Sequence, residues 1–545
     1  MRKKLNLLLL LIIPWTFFAH TNNLIERNGH SKLSPKVTLQ KEGIKEKCGT
    51  IQALIDFQKG IRRPRPTSGP KYIYTTHFII HFDTIGNDAT TRAFAETAAV
   101  HAELSWSELT ALGWMMPPPD GSNGGDSRYD IYIRRISGYG LCYPESPSIY
   151  AITGLYPASH TSYVVINVSM SWGDLRATVI HEFHHGIQFG YSVAEWTGFY
   201  ENTSTFIEDY FYDYVNYLQS MLRSTNEDPL DQPYQPICLS YINEYTGALW
   251  AHFLDEYYDA SVDTRPLLRI WVLCGLHDGT YTFEDIDSIL RLYYSSDLKK
   301  ALGHYAIWRA FCGTVNDGRH YIEGTSYGDI QILRSHSSYP ASGNEGTSAP
   351  IGPGGCNVIS FTNFGNNRVT LNFDGQNGYD WACYVIGFCP DGNSYEYRIV
   401  LHPTQASGSI TIPGVEFNKI FLIPVVTTFS AATPGLTYTY SVTLSSANKN
   451  IESEELIGDY VGFFISPNPT KNNLRINYFL PHNTKANLKI YNANGQLIKS
   501  SEIKSSDNTY IWNRTDNLGI KVPNGIYFVE LKAENKTIKK KILLM

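Results

Sequence analysis

The hydrophobic pattern of this 545-residue chain changes period once, and that change limits the fold more than any other feature. From residue 71 to about residue 312, long stretches carry apolar residues at helical spacing, among a few strand-like runs. Beyond a segment rich in Ser, Gly and Pro (RSHSSYPASGNEGTSAPIGPGG), apolar and polar residues alternate in short runs separated by turn signals. One core cannot serve both patterns, and the length predicts roughly three to four domains. The expected architecture is an α+β domain followed by two all-β sandwich modules. Its boundaries are 71–323 for the α+β domain, 324–354 for a linker, and 355–446 for the first sandwich. A charged linker over 447–460 then leads to an Ig-like module over 461–545.

The N-terminus reads as export machinery. Arg2, Lys3 and Lys4 precede a short apolar run from Leu5 to Phe18, too short for a membrane span. This predicts a signal peptide over 1–21, then an N-terminal extension or propeptide over 22–70. No later run is long and apolar enough to span a bilayer. The net charge of -6 argues against nucleic acid as a partner. Eight cysteines in an exported chain permit disulfides, although their pairing cannot be read from spacing. Cleavage of the extension would carry Cys48 away and leave an odd number. A prosegment thiol can cap a catalytic metal, but the expectation for Cys48 is a surface or disulfide-bonded residue. Asp120, Asp126 and Asp130 form a weak Ca2+ pattern in a glycine-rich loop, where ordinary turn chemistry is the better reading.

Chemistry concentrates in the stretch ATVIHEFHHGIQFGY, residues 177–191. His181, Glu182 and His185 make an H-E-x-x-H motif, which chance supplies about 0.02 times in a chain of this composition. On a helix, positions four apart lie over one another, so His181 and His185 can hold one ion. Glu182 points about 100° round the helix and reaches a water on the ion rather than the ion itself. His184 is out of phase with that pair and is expected in the pocket wall or behind the ligands. A catalytic zinc needs a third protein ligand and an open position. The metzincin continuation fails, because Gln188 and Tyr191 stand where Gly and His belong. The following EWTGFYENTSTFIEDY offers Glu195, Glu201, Glu208 and Asp209, of which Glu201 and Glu208 share a helical face.

H-E-x-x-H followed by W-x(4)-E-x-T-x-x-[FW]-x-E resembles the gluzincin branch of zinc metallopeptidases, in particular a group of secreted bacterial metalloproteases. Trp196, Glu201, Thr203, Phe206 and Glu208 carry the match, with GGDSRYDIYI and YTGALWAHFLDEYY in support. The resemblance implies a zincin-like catalytic domain over 71–323 and Zn2+ held by His181, His185 and Glu201, with Glu208 the second choice for third ligand. It implies hydrolysis of protein or peptide substrates, Glu182 acting as general base and Tyr245 or His252 as oxyanion donor. Ser204 stands where alanine is usual. Thr205 stands where thermolysin-like enzymes place an acid that orients a ligand histidine, which leaves that role unassigned. The rival from another class is an inactive adhesin or binding protein on a peptidase-like fold. Residues 461–545 resemble the sorting domains of type IX secretion and the Ig-like domain of the flagellar hook-capping protein. SPNPTKNNLRINYFLP, LKIYNANGQLI and WNRTDNLGIKVPNGIYFVELKA carry that likeness, which implies the secretion machinery as a partner.

Overall fold

A computed structural model of the chain describes residues 48–67, 71–222, 228–238, 244–259, 263–345, 349–390, 392, 394–430, 433–446, 462–466, 473–480, 485–504, 509–533 and 536–544. The expected signal peptide (1–21) and the linker over 447–460 lie outside these residues. Among the described residues, no helix is long and apolar enough to cross a membrane.

The N-terminal region is mixed helix and sheet. Helix α1 (Thr50–Gln58) precedes a five-stranded sheet built from β1 (Lys71–Tyr74), β2 (Phe78–Phe82), β3 (Tyr129–Arg134), β4 (Gly140–Pro147) and β5 (His160–Asn167). The strand order is β1-β2-β3-β5-β4, so β4 is an edge. It runs antiparallel to β5, while β3 pairs in parallel with both β2 and β5. Residues 72–82 read as one strand in sequence but form a hairpin. Thr75 and Phe78 close its turn by exchanging main-chain and hydroxyl hydrogen bonds, without the Gly or Pro that usually signals one.

On the sheet lie α2 (Arg92–Ala111) and α3 (Trp172–Tyr191). Ser171 caps α3 by accepting a hydrogen bond from Asp174 N, and from Ala177 to Tyr191 the helix is buried without a break. Such burial accommodates Val179, Ile180, Phe183, Ile187 and Phe189, each stabilising by roughly 1.5–3 kcal/mol. Five residues after α3, α4 (Thr197–Tyr212) turns back along it. The pairs 181–208, 184–204 and 188–200 make the two helices antiparallel. Helices α5 (Ala248–Tyr258), α6 (Arg265–Cys274), α7 (Thr282–Tyr294) and α8 (Leu298–Ala310) complete the region. Trp271 of α6 stacks on Phe199 and donates from its indole N–H to Thr203, which holds α4 in place.

The middle module is a sandwich. One sheet has the order β11 (Ser394–Arg398), β10 (Trp381–Phe388), β13 (Lys419–Val426), β8 (Ile359–Thr362) and β6 (Arg334–His336). The other has β12 (Ser407–Pro413), β9 (Asn367–Gly375), β14 (Tyr438–Ser446) and β7 (Ala341–Glu345), and the shared apolar core includes Ile359, Leu371, Val385, Leu422 and Val442. Strands β6 (Arg334–His336) and β7 (Ala341–Glu345) fall inside the segment expected as linker. Both are edge strands, where Ser, Gly and a neighbouring Pro are tolerated. The C-terminal module has one sheet of β15 (Gly462–Ser466), β16 (Leu474–Phe479) and β19 (Thr509–Trp512). Its other sheet is β18 (Leu497–Lys504), β17 (Lys485–Asn492), β20 (Gly525–Ala533) and β21 (Lys536–Leu544), and the core includes Ile476, Leu488, Trp512 and Val529.

Candidate metal centre

Helices α3 and α4 bring His181, His185 and Glu201 to one buried point. The Nε2 atoms of His181 and His185 are 3.2 Å apart. Glu201 Oε2 lies 3.2 Å from His181 Nε2, and Oε1 lies 3.4 Å from His185 Nε2. A fourth group joins them from the N-terminal extension: Cys48 Sγ is 3.5 Å from His185 Nε2. One donor atom from each of the four lies within 4.8 Å of all the others.

These distances fit a metal. A tetrahedral ion at about 2.0–2.1 Å from nitrogen or oxygen and about 2.3 Å from sulfur separates N/O ligand atoms by roughly 3.3 Å, and S from N by roughly 3.6 Å. The observed 3.2, 3.2, 3.4 and 3.5 Å edges match that figure. Hydrogen bonding does not explain the cluster as well, because neither oxygen of the buried Glu201 has an aligned donor. A buried carboxylate without a donor costs several kcal/mol of desolvation unless a cation meets it.

The outer nitrogens of both histidines are occupied. His181 Nδ1 faces Glu208 Oε2 at 3.1 Å, and His185 Nδ1 donates to Gln188 Oε1 at 2.7 Å. Such contacts direct each Nε2 lone pair inward. The Gln188 amide donates to Tyr200 O at 3.0 Å and Thr203 Oγ1 at 2.6 Å, which sets which end of the amide faces His185. Glu208 thus meets the outer nitrogen of His181, on the side away from Glu201, and Gln188 meets the outer nitrogen of His185. Burial opposes a charge on His181, but Glu201 and Glu208 overcome it and lift its pKa to about 10. Burial also works against the Glu201 carboxylate, yet the two imidazoles hold its pKa well below the ordinary range. A divalent cation would displace the proton that this pairing retains on His181.

Glu182 lies beside the cluster. Burial raises its carboxyl pKa, with His181 and His185 opposing. Its side chain packs on Gly140 at the start of β4, where an added Cβ would sit 2.6 Å from Glu182 Cγ. Thr50 Oγ1 donates to Glu182 Oε2 at 2.8 Å, and Cys48 Sγ donates to the same oxygen at 3.4 Å. His184 is behind the ligands, its Nδ1 2.9 Å from Ser204 Oγ and its ring edge-on to Trp114. Burial and the neighbouring imidazoles drive its pKa well down, so it is neutral.

The other expected residues divide. Tyr245 reaches the site: its hydroxyl accepts from Cys48 N at 2.9 Å, and its ring is 6.4 Å from that of His181. His252 does not, being held between Asp209 and Glu256 at 3.2 Å each. Glu195 accepts from Tyr281 N and Thr282 Oγ1 at the start of α7. Of the four acids after H-E-x-x-H, Glu201 is thus the one facing both imidazoles.

One expectation is corrected. Cys48 is neither on the surface nor disulfide-bonded; it is buried, and all eight cysteines are free thiols. The only sequence signal for its place was a cysteine in a segment expected to be removable. Arg65 stands where calcium was considered. Its guanidinium pairs with Asp120, Asp130 and Glu145, while Asp126 binds Arg128.

Comparison with known proteins bears on the C-terminal module. Residues 465–545 match the family described as the secretion system C-terminal sorting domain. The chain therefore carries a type IX secretion sorting domain and is a secreted or cell-surface protein. No curated protein matches the chain. Among solved structures it is similar to PorZ of Porphyromonas gingivalis, an essential surface component of the type IX system, at 13% identity and a TM-score of 0.14 over 29% of this chain and 22% of that one. It is similar to dimeric latent PorU of the same organism, at 13% identity and a TM-score of 0.14 over 33% and 18%. A two-domain fibronectin type III segment of chicken tenascin gives 13% identity and a TM-score of 0.13 over 33% and 94%. The chain spans about a fifth of the length of the two bacterial proteins, and no functional conclusion rests on likeness of this size.

Proposed function

We propose that the chain is a secreted zinc-dependent peptidase of gluzincin type, with a zincin-like domain ahead of the two β-sandwich modules. The observation that carries this reading is the convergence of His181 Nε2, His185 Nε2 and Glu201 on one point, with the Glu182 carboxylate next to it.

Zinc held by His181, His185 and Glu201 would supply Lewis acidity, polarising a substrate carbonyl and acidifying a coordinated water. Glu182 takes the proton from the attacking water and passes it to the leaving amine. Tyr245 O–H would donate to a developing oxyanion, a role supported by its ring lying 6.4 Å from that of His181. A peptide substrate would pair with the edge strand β4, whose first residue abuts Glu182. The secretion machinery would engage the C-terminal module.

Cleavage of casein by the wild type and by Glu182→Gln, each after removal of the N-terminal extension, tests the reading. The variant should bind zinc as the wild type does and lose roughly 10²-fold or more in activity. Equal activity of the two forms would remove Glu182 from the mechanism and the peptidase reading with it.

A further inference from the structure

Everything a substrate would need at this site is already in use by the N-terminal extension. Cys48 Sγ takes the fourth corner of the ligand set, 3.5 Å from His185 Nε2. Thr50 holds the general base through its hydrogen bond to Glu182 Oε2 and is itself fixed by Cys142 N, 2.8 Å from its hydroxyl. Gly49 N donates to Gly140 O at 2.9 Å, and Cys48 and Gly140 form a parallel bridge, so the segment pairs with the edge of β4. Tyr245 O–H, the oxyanion donor, is bound to the main chain of Cys48 on both sides. Helix α1 buries Ile51, Leu54, Ile55 and Phe57, and Gln58 Nε2 donates to Val193 O at 2.7 Å.

The next residues are different in kind. Lys59 to Arg63 are exposed, and three of the five are basic. The Tyr143 hydroxyl holds the main chain at Ile61 O and Arg63 N, and Asp120, Asp130 and Glu145 anchor it at Arg65. A cut between 59 and 63 would separate the part that fills the site from the part locked to the domain.

We propose that Cys48 is the fourth ligand of the catalytic metal, and that residues 48–62 hold the peptidase latent until a trypsin-like peptidase severs the exposed stretch 59–63. This rests on the zinc reading above. Water is consumed at the severed peptide bond. Cys48 leaves as a thiol after taking a proton from solvent, and a water molecule fills the place it vacates.

The test uses the full exported chain loaded with cobalt(II) in place of zinc. Wild type should show the thiolate-to-cobalt charge-transfer absorption, and Cys48→Ser should bind cobalt without it. Treating the wild type with agarose-bound trypsin, with the cut located by mass spectrometry, should abolish that absorption. Zinc-loaded chain cut in the same way should gain casein-cleaving activity by roughly tenfold or more, equivalent to about 1.4 kcal/mol of site occupancy released. The cut wild type supplies this result even if Cys48→Ser fails to fold. Cobalt bound by the wild type without the charge-transfer band would overturn the latency proposal and leave the metal site standing. No metal bound by either form would overturn both.

Discussion

Glu208 Oε2 lies 3.1 Å from His181 Nδ1, on the side of the imidazole away from the ligand cluster. The two residues are buried and come from antiparallel helices, so this contact fixes both the ring plane and the tautomer of His181. Glu208→Ala should therefore keep the metal but weaken its binding by roughly 10–100-fold, as loss of a group behind a ligand histidine does elsewhere. Competition with a chelator of known affinity measures this. Complete loss of zinc from Glu208→Ala would make Glu208 a ligand.

Gly140 lets the first residue of β4 approach Glu182. A Cβ there would stand 2.6 Å from Glu182 Cγ and 2.8 Å from Oε1, closer than packed atoms come. Gly140→Ala should displace the carboxylate without touching a metal ligand. The expected result is an unchanged zinc content with activity lowered roughly 10²-fold, the scale of a misplacement of about 1 Å. An active Gly140→Ala enzyme would show that Glu182 needs no fixed position.

Arg65 pairs with Asp120, Asp130 and Glu145, and its planar fork reaches all three. Removing it leaves the buried Asp130 and the half-buried Asp120 and Glu145 facing one another, a loss below the roughly 3–5 kcal/mol of fully buried pairs. Arg65→Leu should lower the unfolding midpoint accordingly. If added calcium restored that stability, the acidic group would be a cation site after all.

His320 provides a pH dependence. Burial disfavours its charge, but Asp317 at 2.8 Å and Glu396 at 3.5 Å outweigh burial and raise its pKa to about 9. Its unfolded value is about 6.5, so the contribution to stability is fully present below that pH and is lost as the pH rises through about 9. Asp317 behaves in the opposite sense. Burial works against its carboxylate, but His320 and Arg319 depress its pKa, so its contribution holds above the unfolded value of about 3.8 and is lost on further acidification. His320→Gln should therefore destabilise by about 2–3 kcal/mol at pH 6 and by much less above pH 9, read from denaturant unfolding. A loss independent of pH would mean that His320 contributes by packing on Phe311 alone.

What could be read in the sequence was local. The i, i+4 spacing of His181 and His185, and the apolar residues around them, are properties of one helix and survive whatever packs against it. Glu201 was reachable because α4 follows α3 after a short turn. Cys48 was not, since it contacts Glu182 and His185 across 134 and 137 residues. Arg65 likewise meets acids 55 to 80 positions away, so the aspartates looked unpaired in their own loop. Strands β6 and β7 were concealed by a Ser- and Gly-rich composition that an edge strand accepts and a central strand would not. Gln188 drew notice only as a departure from another family's pattern; its place against His185 Nδ1 depends on Tyr200 and Thr203 of the next helix.

The central claim is a zinc ion held by His181, His185 and Glu201, and its most direct measurement is metal content. Purified wild-type chain should carry one zinc per molecule by inductively coupled plasma mass spectrometry, and Glu201→Ala should carry none after dialysis against a weak chelator. Zinc absent from the wild type, or retained in full by Glu201→Ala, would contradict the account.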